Sequence, residues 1–210
     1  MAERTVLIGL IGGIGAGKSV VARILRSRGF EVYDCDLHAK QLMEFSEELR
    51  TALTERFGRR CYESGGCLNR AFLAERIFSS SEDRVWVNAL VHEAVRKDIE
   101  ERRRSGGVPG GVLFVESAIL HSSHLDERCR AIWIVSASEE IRFSRALQRG
   151  GIGEANLRAR MEAQRRELDS MIGEKTVIID NSGSESLLDQ IDAAFETLII
   201  LSPYNHSSEA

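Results

Sequence analysis

Residues 12–19 read Gly-Gly-Ile-Gly-Ala-Gly-Lys-Ser, a spacing of glycines, lysine and serine that can hold the phosphate groups of a nucleotide. The glycines allow consecutive backbone N–H groups to point to one side of the chain, where they form a concave site for an anion. The Lys18 ammonium can reach the β- and γ-phosphates, and the Ser19 hydroxyl can ligate Mg²⁺. We therefore predict a site for a nucleoside triphosphate and Mg²⁺ formed by Gly12, Gly13, Ile14, Gly15, Ala16, Gly17, Lys18, Ser19 and Val20.

The residues on either side of this loop favour a phosphate site over a glycine-rich turn in which Lys and Ser follow by chance. The apolar run Thr5–Ile11 precedes the loop and has the composition of a strand buried on both faces. An amphipathic segment follows, with Val21 and Leu25 on one face of a helix. A buried strand before the loop and a helix after it are the context that such a motif requires.

Acidic residues follow two other strand-like segments, at positions where the ligands of parallel sheets bind. Glu116 ends the run that begins at Val112, and we predict that it holds Mg²⁺ through a water molecule; a solvent-exposed turn is the alternative. A kinase that acts on a hydroxyl group also needs a residue that orients this hydroxyl and accepts its proton. We predict that Asp36 has this role, with a helix N-cap as the alternative, and we assign none to Asp34.

Residues 142–166 contain seven arginines and two acids, a local charge of +5 in a chain of net charge −4. Arg142, Arg145 and Arg149 share one helix face, and the glycine-rich residues 150–153 interrupt this helix. Such an arrangement favours a flap, here residues 139–168, that closes on phosphates, with Arg149 as the residue that contacts them; a solvated basic face is the alternative. A second helix follows, whose apolar stripe contains Leu157, Met161, Gln164 and Leu168.

These groups need a scaffold, and five buried strand-like segments provide it. The first strand, the helix and the second strand follow one another in about thirty residues, which indicates a right-handed βαβ unit and a parallel sheet. We predict a three-layer α/β fold with a five-stranded parallel sheet between helices. The predicted strands are Thr5–Ile11, Phe30–Tyr33, Val112–Val115, Ala131–Val135 and Thr176–Ile179.

The segment between the second and third strands has a helical pattern and no convincing strand. Leu49, Leu53 and Phe57 recur at i, i+4 and i+8, while Asn69 and Ser81 are candidate helix N-caps. We therefore predict a nucleotide-binding core of residues 1–36 and 112–201, a helical insertion of residues 37–111 and a loose tail of residues 202–210.

Composition restricts the classes of function. The net charge of −4 and a pI near 5.8 argue against a protein that coats nucleic acid. No apolar run approaches the roughly 20 residues of a membrane span, and no basic segment leads into a signal-type stretch, so we expect no membrane partner and a cytoplasmic location. The four cysteines form no C-x-x-C pair, which agrees with a reducing compartment and argues against a structural metal.

An ordered series of short motifs resembles the dephospho-coenzyme A kinase family over nearly the whole chain. The phosphate loop alone is generic, whereas the order of the motifs is specific. The series comprises Gly9–Ser19, Asp34–Asp36 with Ala39, Asn69-Arg70, Ile77-Phe78, Leu90–His92, Glu116–Leu120, Arg149, Ala163-Gln164 and Ile179–Gly183.

The resemblance implies MgATP-dependent phosphorylation of the ribose 3′-hydroxyl of dephospho-coenzyme A. It implies that Asp36 is the base, that Lys18, Ser19 and Arg149 act on ATP, and that the insertion is an acceptor domain and residues 139–168 a lid. It also implies that the turn of Asn181 and Gly183 lies near the adenine of ATP. The expected substrate-binding residues are Asp36, Arg70, His92 and Glu116.

The chain departs from the family pattern at four places. Val20 stands where threonine is common, and Glu93 follows His92 in place of proline. His121-Ser122-Ser123 lacks an acid that the family has in this segment, so that Glu116 would carry its task. Gly150 stands where aspartate is frequent and would loosen the hinge of the lid.

Two alternatives to this kinase differ in how well the sequence supports them, and the second is disfavoured. One is another P-loop kinase for a nucleotide or small molecule, since Asp36 and the helical insertion fit that as well. The other is a GTP-driven switch, which requires a guanine-reading N-K-x-D motif; the candidate Asp180–Gly183 lacks its lysine and second acid. The expected partner is a small-molecule substrate, and the expected assembly is a monomer or a small homo-oligomer.

Overall fold

A five-stranded parallel sheet forms the centre of the fold, as the sequence predicts. The computed structural model describes residues 5–151 and 153–200, so the predicted tail of residues 202–210 lies outside the described residues. The strand order is β2-β3-β1-β4-β5, and the sheet is all-parallel. The strands are β1 (Val6–Gly12), β2 (Glu31–Asp34), β3 (Val112–Glu116), β4 (Ala131–Ser136) and β5 (Thr176–Asp180).

Eight α-helices are present in the described part of the chain. Asn69 caps the fourth helix, as predicted, because its side chain accepts a hydrogen bond from Phe72 N at 3.0 Å. The predicted cap Ser81 is wrong by one residue: Ser80 has the extended backbone of an N-cap and its hydroxyl accepts from Asp83 N at 3.1 Å. The helices are α1 (Lys18–Ser27), α2 (Cys35–Phe45), α3 (Glu47–Phe57), α4 (Arg70–Ser79), α5 (Ser81–Arg104), α6 (Glu139–Gln148), α7 (Glu154–Asp169) and α8 (Leu187–Ile200).

The chain divides into two compact units, of which the first comprises the residues up to Val32 and from Val108 onward. Its core lies on the sheet, where Leu10 and Trp133 are fully buried. Phe114 packs edge-on against Trp133 and Phe195, with ring centroids 5.0 and 6.0 Å apart. This aromatic cluster supports the strands whose carboxyl ends carry the phosphate loop and Glu116.

The second unit is Tyr33–Gly107 and contains helices α2 to α5. The long helix α5 buries one residue every four along one face, and the other helices of the unit pack on it. Leu49 and Leu53 of α3 are buried, as their spacing predicts. The buried residues of α5 are Val87, Val91, Val95 and Ile99.

None of the helices in the two described stretches is long and apolar enough to cross a membrane.

Candidate active site

The phosphate loop joins β1 to α1 and depends on glycines at positions where a side chain would not fit. Gly15 has a φ of 78°, and a Cβ there would run into the carbonyl group of Arg142. A Cβ on Gly12 would lie 2.7 Å from the carbonyl oxygen of Val135 in the neighbouring strand β4. Gly17, with a φ of 98°, is the N-cap of α1. The glycines therefore bring the loop close to its neighbours and start the helix behind it.

Asn181, the residue after β5, holds the phosphate loop by a side-chain hydrogen bond. Its side-chain Nδ2 donates a hydrogen bond to Ala16 O at 2.8 Å and lies where a Cβ on Gly17 would be. Gly183, two residues further, has a φ of 98° and open surroundings. Asn181 thus positions the loop backbone, while contact of this turn with adenine stays a prediction.

A cavity of about 230 Å³ opens at the loop and gathers residues from distant parts of the sequence. Of the predicted site residues, Glu116 and Arg149 line it together with most of the loop. Ala16 and Val20 do not, and the Ala16 side chain is fully buried. The lining residues are Gly12, Gly13, Ile14, Gly15, Gly17, Lys18, Ser19, Glu116, Ala118, Arg149 and Gln164.

The sequence predicts no role for Ala118 or Gln164. Ala118 has no functional group that could have signalled one. Gln164 had such a signal, because it is a polar residue on the apolar stripe of α7 next to the buried Leu157 and Met161. A polar side chain on a packed face requires a hydrogen-bond partner, and the partner lies in the phosphate loop.

Glu116 is largely buried at the end of β3 and lies between two cations. Its Oε1 is 3.7 Å from Lys18 Nζ, and its Oε2 is 3.8 Å from Arg26 Nη2. Burying a carboxylate is costly unless cations compensate its charge, and these two provide that compensation. The solvent-exposed turn, the alternative for Glu116, is therefore wrong.

Oxygen donors suited to Mg²⁺ lie in this cavity. The Ser19 hydroxyl and the Glu116 carboxylate both line it. In the described residues no group of three or more His, Cys, Asp or Glu side chains could hold a metal ion. Few protein ligands are what Mg²⁺ requires when substrate phosphates supply the remaining oxygens, so the residues present fit such an ion.

The arginine-rich segment divides into residues with different surroundings. Arg149 follows the last residue of α6 and precedes Gly150 and Gly151, whose φ angles are 70° and 83°. The guanidinium of Arg142 packs beside the loop at Gly13, and Arg158 lies over the ring of Phe143 at 4.3 Å. Among the seven arginines, all of which the structure describes, only Arg149 lines the cavity.

Helix α7 is packed directly against the phosphate loop. Leu157 and Met161 are buried with Ala146 of α6, and Ile14 of the loop packs on this cluster. In addition, Gln164 Oε1 accepts a hydrogen bond from Ile14 N at 2.7 Å. The loop and α7 therefore share an apolar contact and a polar one.

The segment after β3, where the sequence departs from the family pattern, is held by α7 as well. Glu167 Oε1 accepts hydrogen bonds from His121 N at 2.8 Å and Ser122 N at 3.1 Å. The imidazole Nδ1 of His121 is 2.8 Å from Asp126 Oδ2, and this carboxylate raises the pKa of His121. The departing residues thus bind α7 and their own loop.

Asp36 lies in the second unit, in the first turn of α2, and is exposed. The N-cap of this helix is Asp34, whose Oδ1 accepts from Leu37 N at 3.0 Å, so the alternative of an N-cap at Asp36 is wrong. His38 stacks on Tyr33 with centroids 3.8 Å apart. Burial and a 2.6 Å hydrogen bond to Asp98 raise the pKa of Tyr33, so its hydroxyl stays protonated.

Arg70 and His92 also belong to the second unit. Arg70 is the first residue of α4, and its Nη2 donates to Glu44 Oε2 at 3.1 Å. His92 is half-buried in the middle of α5. Because Glu93 replaces the proline of the family pattern, the helix keeps its backbone N–H at this position and continues without a break to Arg104.

The first strand of this parallel sheet leads through a glycine loop into a phosphate-sized cavity at a helix N-terminus. This arrangement defines a P-loop kinase fold. The family model for dephospho-CoA kinase matches residues 6–186. The chain belongs to the dephospho-CoA kinase family, as the resemblance predicts.

Similar proteins agree with this assignment. The dephospho-CoA kinase of Porphyromonas gingivalis is 40% identical over 195 residues, which cover 92% of this chain and 94% of that protein. The dephospho-CoA kinase of Deinococcus radiodurans is 38% identical over 195 residues, 92% of either chain. These relatives favour this kinase over the alternative of another P-loop small-molecule kinase.

Solved structures match the same fold. A crystal structure from Thermus thermophilus has a TM-score of 0.71 and 30% identity, and the match covers 93% of this chain and 96% of that one. The dephospho-CoA kinase of Campylobacter jejuni has a TM-score of 0.63 at 20% identity and covers 95% of this chain and 98% of its own. The predicted α/β kinase fold is therefore confirmed.

Proposed function

We propose that this chain transfers the γ-phosphoryl group of ATP to the ribose 3′-hydroxyl of dephospho-coenzyme A, giving coenzyme A and ADP. The observation that carries the proposal is the cavity that gathers Lys18, Glu116 and Arg149 around the phosphate loop, in a chain matched to this family over residues 6–186. In the reaction a bond forms between the 3′-oxygen and the γ-phosphorus while the bond between the γ-phosphorus and the bridging oxygen of ADP breaks.

The triphosphate binds the Lys18 ammonium and the backbone N–H groups of residues 13–19, except that of Ile14, which donates to Gln164 Oε1. Lys18 Nζ lies 3.7 Å from Glu116 and is only partly exposed, so its charge is already directed into the cavity. Neutralising the phosphates there stabilises the charge that develops on the transferred group and on the leaving ADP. Arg149, at the glycine hinge, contributes a second cation to the γ-phosphoryl group.

Ser19 would hold Mg²⁺ directly, and Glu116 would hold it through a water molecule. Such an ion neutralises the negative charge of the phosphate oxygens. Because the acid of the family pattern is absent from residues 121–123, Glu116 has this task without a second carboxylate from that segment.

Asp36 orients the 3′-hydroxyl and accepts its proton. Support comes from α2, where the Asp34 carboxylate is engaged by the backbone at the helix N-terminus while Asp36 is exposed and available. We assign Arg70 and His92 to the binding of dephospho-coenzyme A. We assign the turn of Asn181 and Gly183 to the adenine of ATP.

The functional division of the chain follows from these roles. Residues 37–111 form the acceptor domain, 139–168 the lid, and 1–36 with 112–201 the nucleotide-binding core. The helical character of the unit Tyr33–Gly107 supports the first assignment, and the hinge at Gly150 and Gly151 supports the second. The enzyme works in the cytoplasm, where ATP is abundant, as a monomer or small homo-oligomer without nucleic acid.

An ADP-release assay tests the proposal with dephospho-coenzyme A beside adenosine, AMP, shikimate and gluconate as acceptors. We expect turnover with dephospho-coenzyme A and a product whose new phosphate ³¹P NMR assigns to the 3′-position. The Lys18→Ala variant controls for contaminating kinases. Turnover confined to one of the other acceptors would replace this proposal with a different small-molecule kinase.

A further inference from the structure

Gln164 joins helix α7 to the phosphate loop in a way that determines the orientation of its amide. The backbone N–H of Ile14 can only donate, so the Gln164 atom 2.7 Å from it must be the oxygen Oε1. The amide nitrogen Nε2, with its two N–H donors, therefore points away from Ile14. Within residues 5–151 and 153–200, Nε2 donates no hydrogen bond to protein.

The position of Gln164 is determined by packing. Leu157 and Met161, seven and three residues earlier on the same face of α7, are 0% and 5% exposed and pack with Ile14. Gln164 is half-buried beside them and lines the cavity. A side chain held at both its backbone and its Oε1 has few remaining conformations, so its Nε2 is presented to the cavity in a defined direction.

The charges around the cavity identify the group that Nε2 would meet. The N–H groups at the start of α1 receive the α- and β-phosphates, whereas Ile14 lies at the strand end of the loop. Glu116 and Arg149, which also line the cavity, are side chains expected around the γ-phosphoryl group. The Ile14 N–H donates to Gln164 and is therefore not free to donate to a ligand. The Gln164 amide N–H groups can donate to the ligand in its place.

We propose that Gln164 contacts the γ-phosphoryl group: Oε1 keeps its hydrogen bond with Ile14 N–H while Nε2 donates to a γ-phosphate oxygen. Glutamine suits this position because it is neutral and both accepts and donates, whereas glutamate would accept but oppose the phosphate charge. The inference rests on the proposed binding of ATP at the loop. It makes Gln164 a residue that distinguishes ATP from ADP.

Two substitutions separate this role from simple support of the loop. Gln164→Glu keeps an acceptor for Ile14 N–H but removes the donors, and Gln164→Met removes both at similar volume. Binding of a non-hydrolysable ATP analogue and of ADP is measured by calorimetry with excess Mg²⁺. We expect both variants to bind the ATP analogue about 10- to 100-fold more weakly, the loss of a hydrogen bond to a charged group, and the Glu variant to bind ADP within about threefold of wild type.

Gln41 provides the matched control for nucleotide affinity, because it is an exposed glutamine of α2, in the second unit, and does not line the cavity. Gln41→Glu and Gln41→Met should leave both affinities unchanged, and thermal unfolding midpoints verify that all variants are folded. If the Glu variant binds the ATP analogue like wild type, or if both Gln164 variants lose ATP and ADP affinity equally, Gln164 only supports the loop and the inference is overturned. If wild type binds neither nucleotide, the proposed function itself fails.

Discussion

Glu116 Oε1 lies 3.7 Å from Lys18 Nζ, so the acid at the end of β3 and the cation of the phosphate loop neutralise one another. Arg26 approaches the other carboxylate oxygen at 3.8 Å. Both Lys18 and Glu116 side chains are mostly buried, at 18% and 11% exposure, so solvent screens the pair weakly. Under the proposed function, a triphosphate that enters the cavity would meet a lysine that this acid already orients.

This pair predicts a coupled effect on stability. Lys18→Met leaves Glu116 with one cation and should lower the free energy of unfolding by about 1–3 kcal/mol. In a Glu116→Gln background, Lys18→Met should lower the free energy of unfolding by less, because no carboxylate then loses a cation. The coupling energy between the two substitutions should be about 0.5–3 kcal/mol. Urea denaturation of the four proteins measures it. Additive effects would mean that the two charges do not interact.

Replacement of the proposed base predicts a loss of turnover without a loss of nucleotide affinity. Asp36→Asn should reduce kcat roughly 10²- to 10⁴-fold, the usual size of a general-base effect, while the dissociation constant for ATP stays nearly the same. Asp34→Asn is the matched control, since asparagine caps helices as well as aspartate and should leave kcat within a few-fold. Near-normal turnover in Asp36→Asn would remove this residue from the role.

The close approach at Gly15 predicts a large cost for adding a single methyl group. Gly15→Ala requires a left-handed backbone for alanine and a clash with the Arg142 carbonyl, so the free energy of unfolding should fall by at least about 2 kcal/mol. Gly65→Ala, at a site with open surroundings and an ordinary φ, should change it by less than about 1 kcal/mol. Equal stabilities of the two variants in urea would contradict the observed loop geometry.

The pKa of His121 predicts a local dependence on pH. A hydrogen bond and the charge of Asp126 raise this pKa above 6.5, so the folded state favours the protonated imidazole. The stabilisation is therefore complete below the unfolded pKa and is lost as pH rises from there through the raised folded value. In an NMR titration, Asp126→Asn should bring the pKa of His121 back toward 6.5. An unchanged pKa would exclude Asp126 as the cause.

Features that depend on neighbours in the chain were predictable. The phosphate loop follows from glycine spacing between a strand and a helix, and the cap at Asn69 from a local hydrogen bond three residues away. The predicted cap of α5 is one residue late because Ser80 and Ser81 are both suitable, and the backbone conformation selects Ser80. Similarly, Asp34 and Asp36 both lie at the start of α2, and only the structure assigns Asp34 to the cap.

The amino-acid sequence by itself determined the phosphate loop, the parallel sheet and the family, because these depend on residue types at short, regular spacings. Only the tertiary structure decided that Gln164 accepts from Ile14 N, which is 150 positions away in the sequence. The same holds for Asn181, which donates to Ala16 O across 165 positions. No local pattern specifies such pairs. They arise because packing of α7 on the loop, and alignment of β5 in the sheet, bring these side chains within hydrogen-bonding distance of backbone groups.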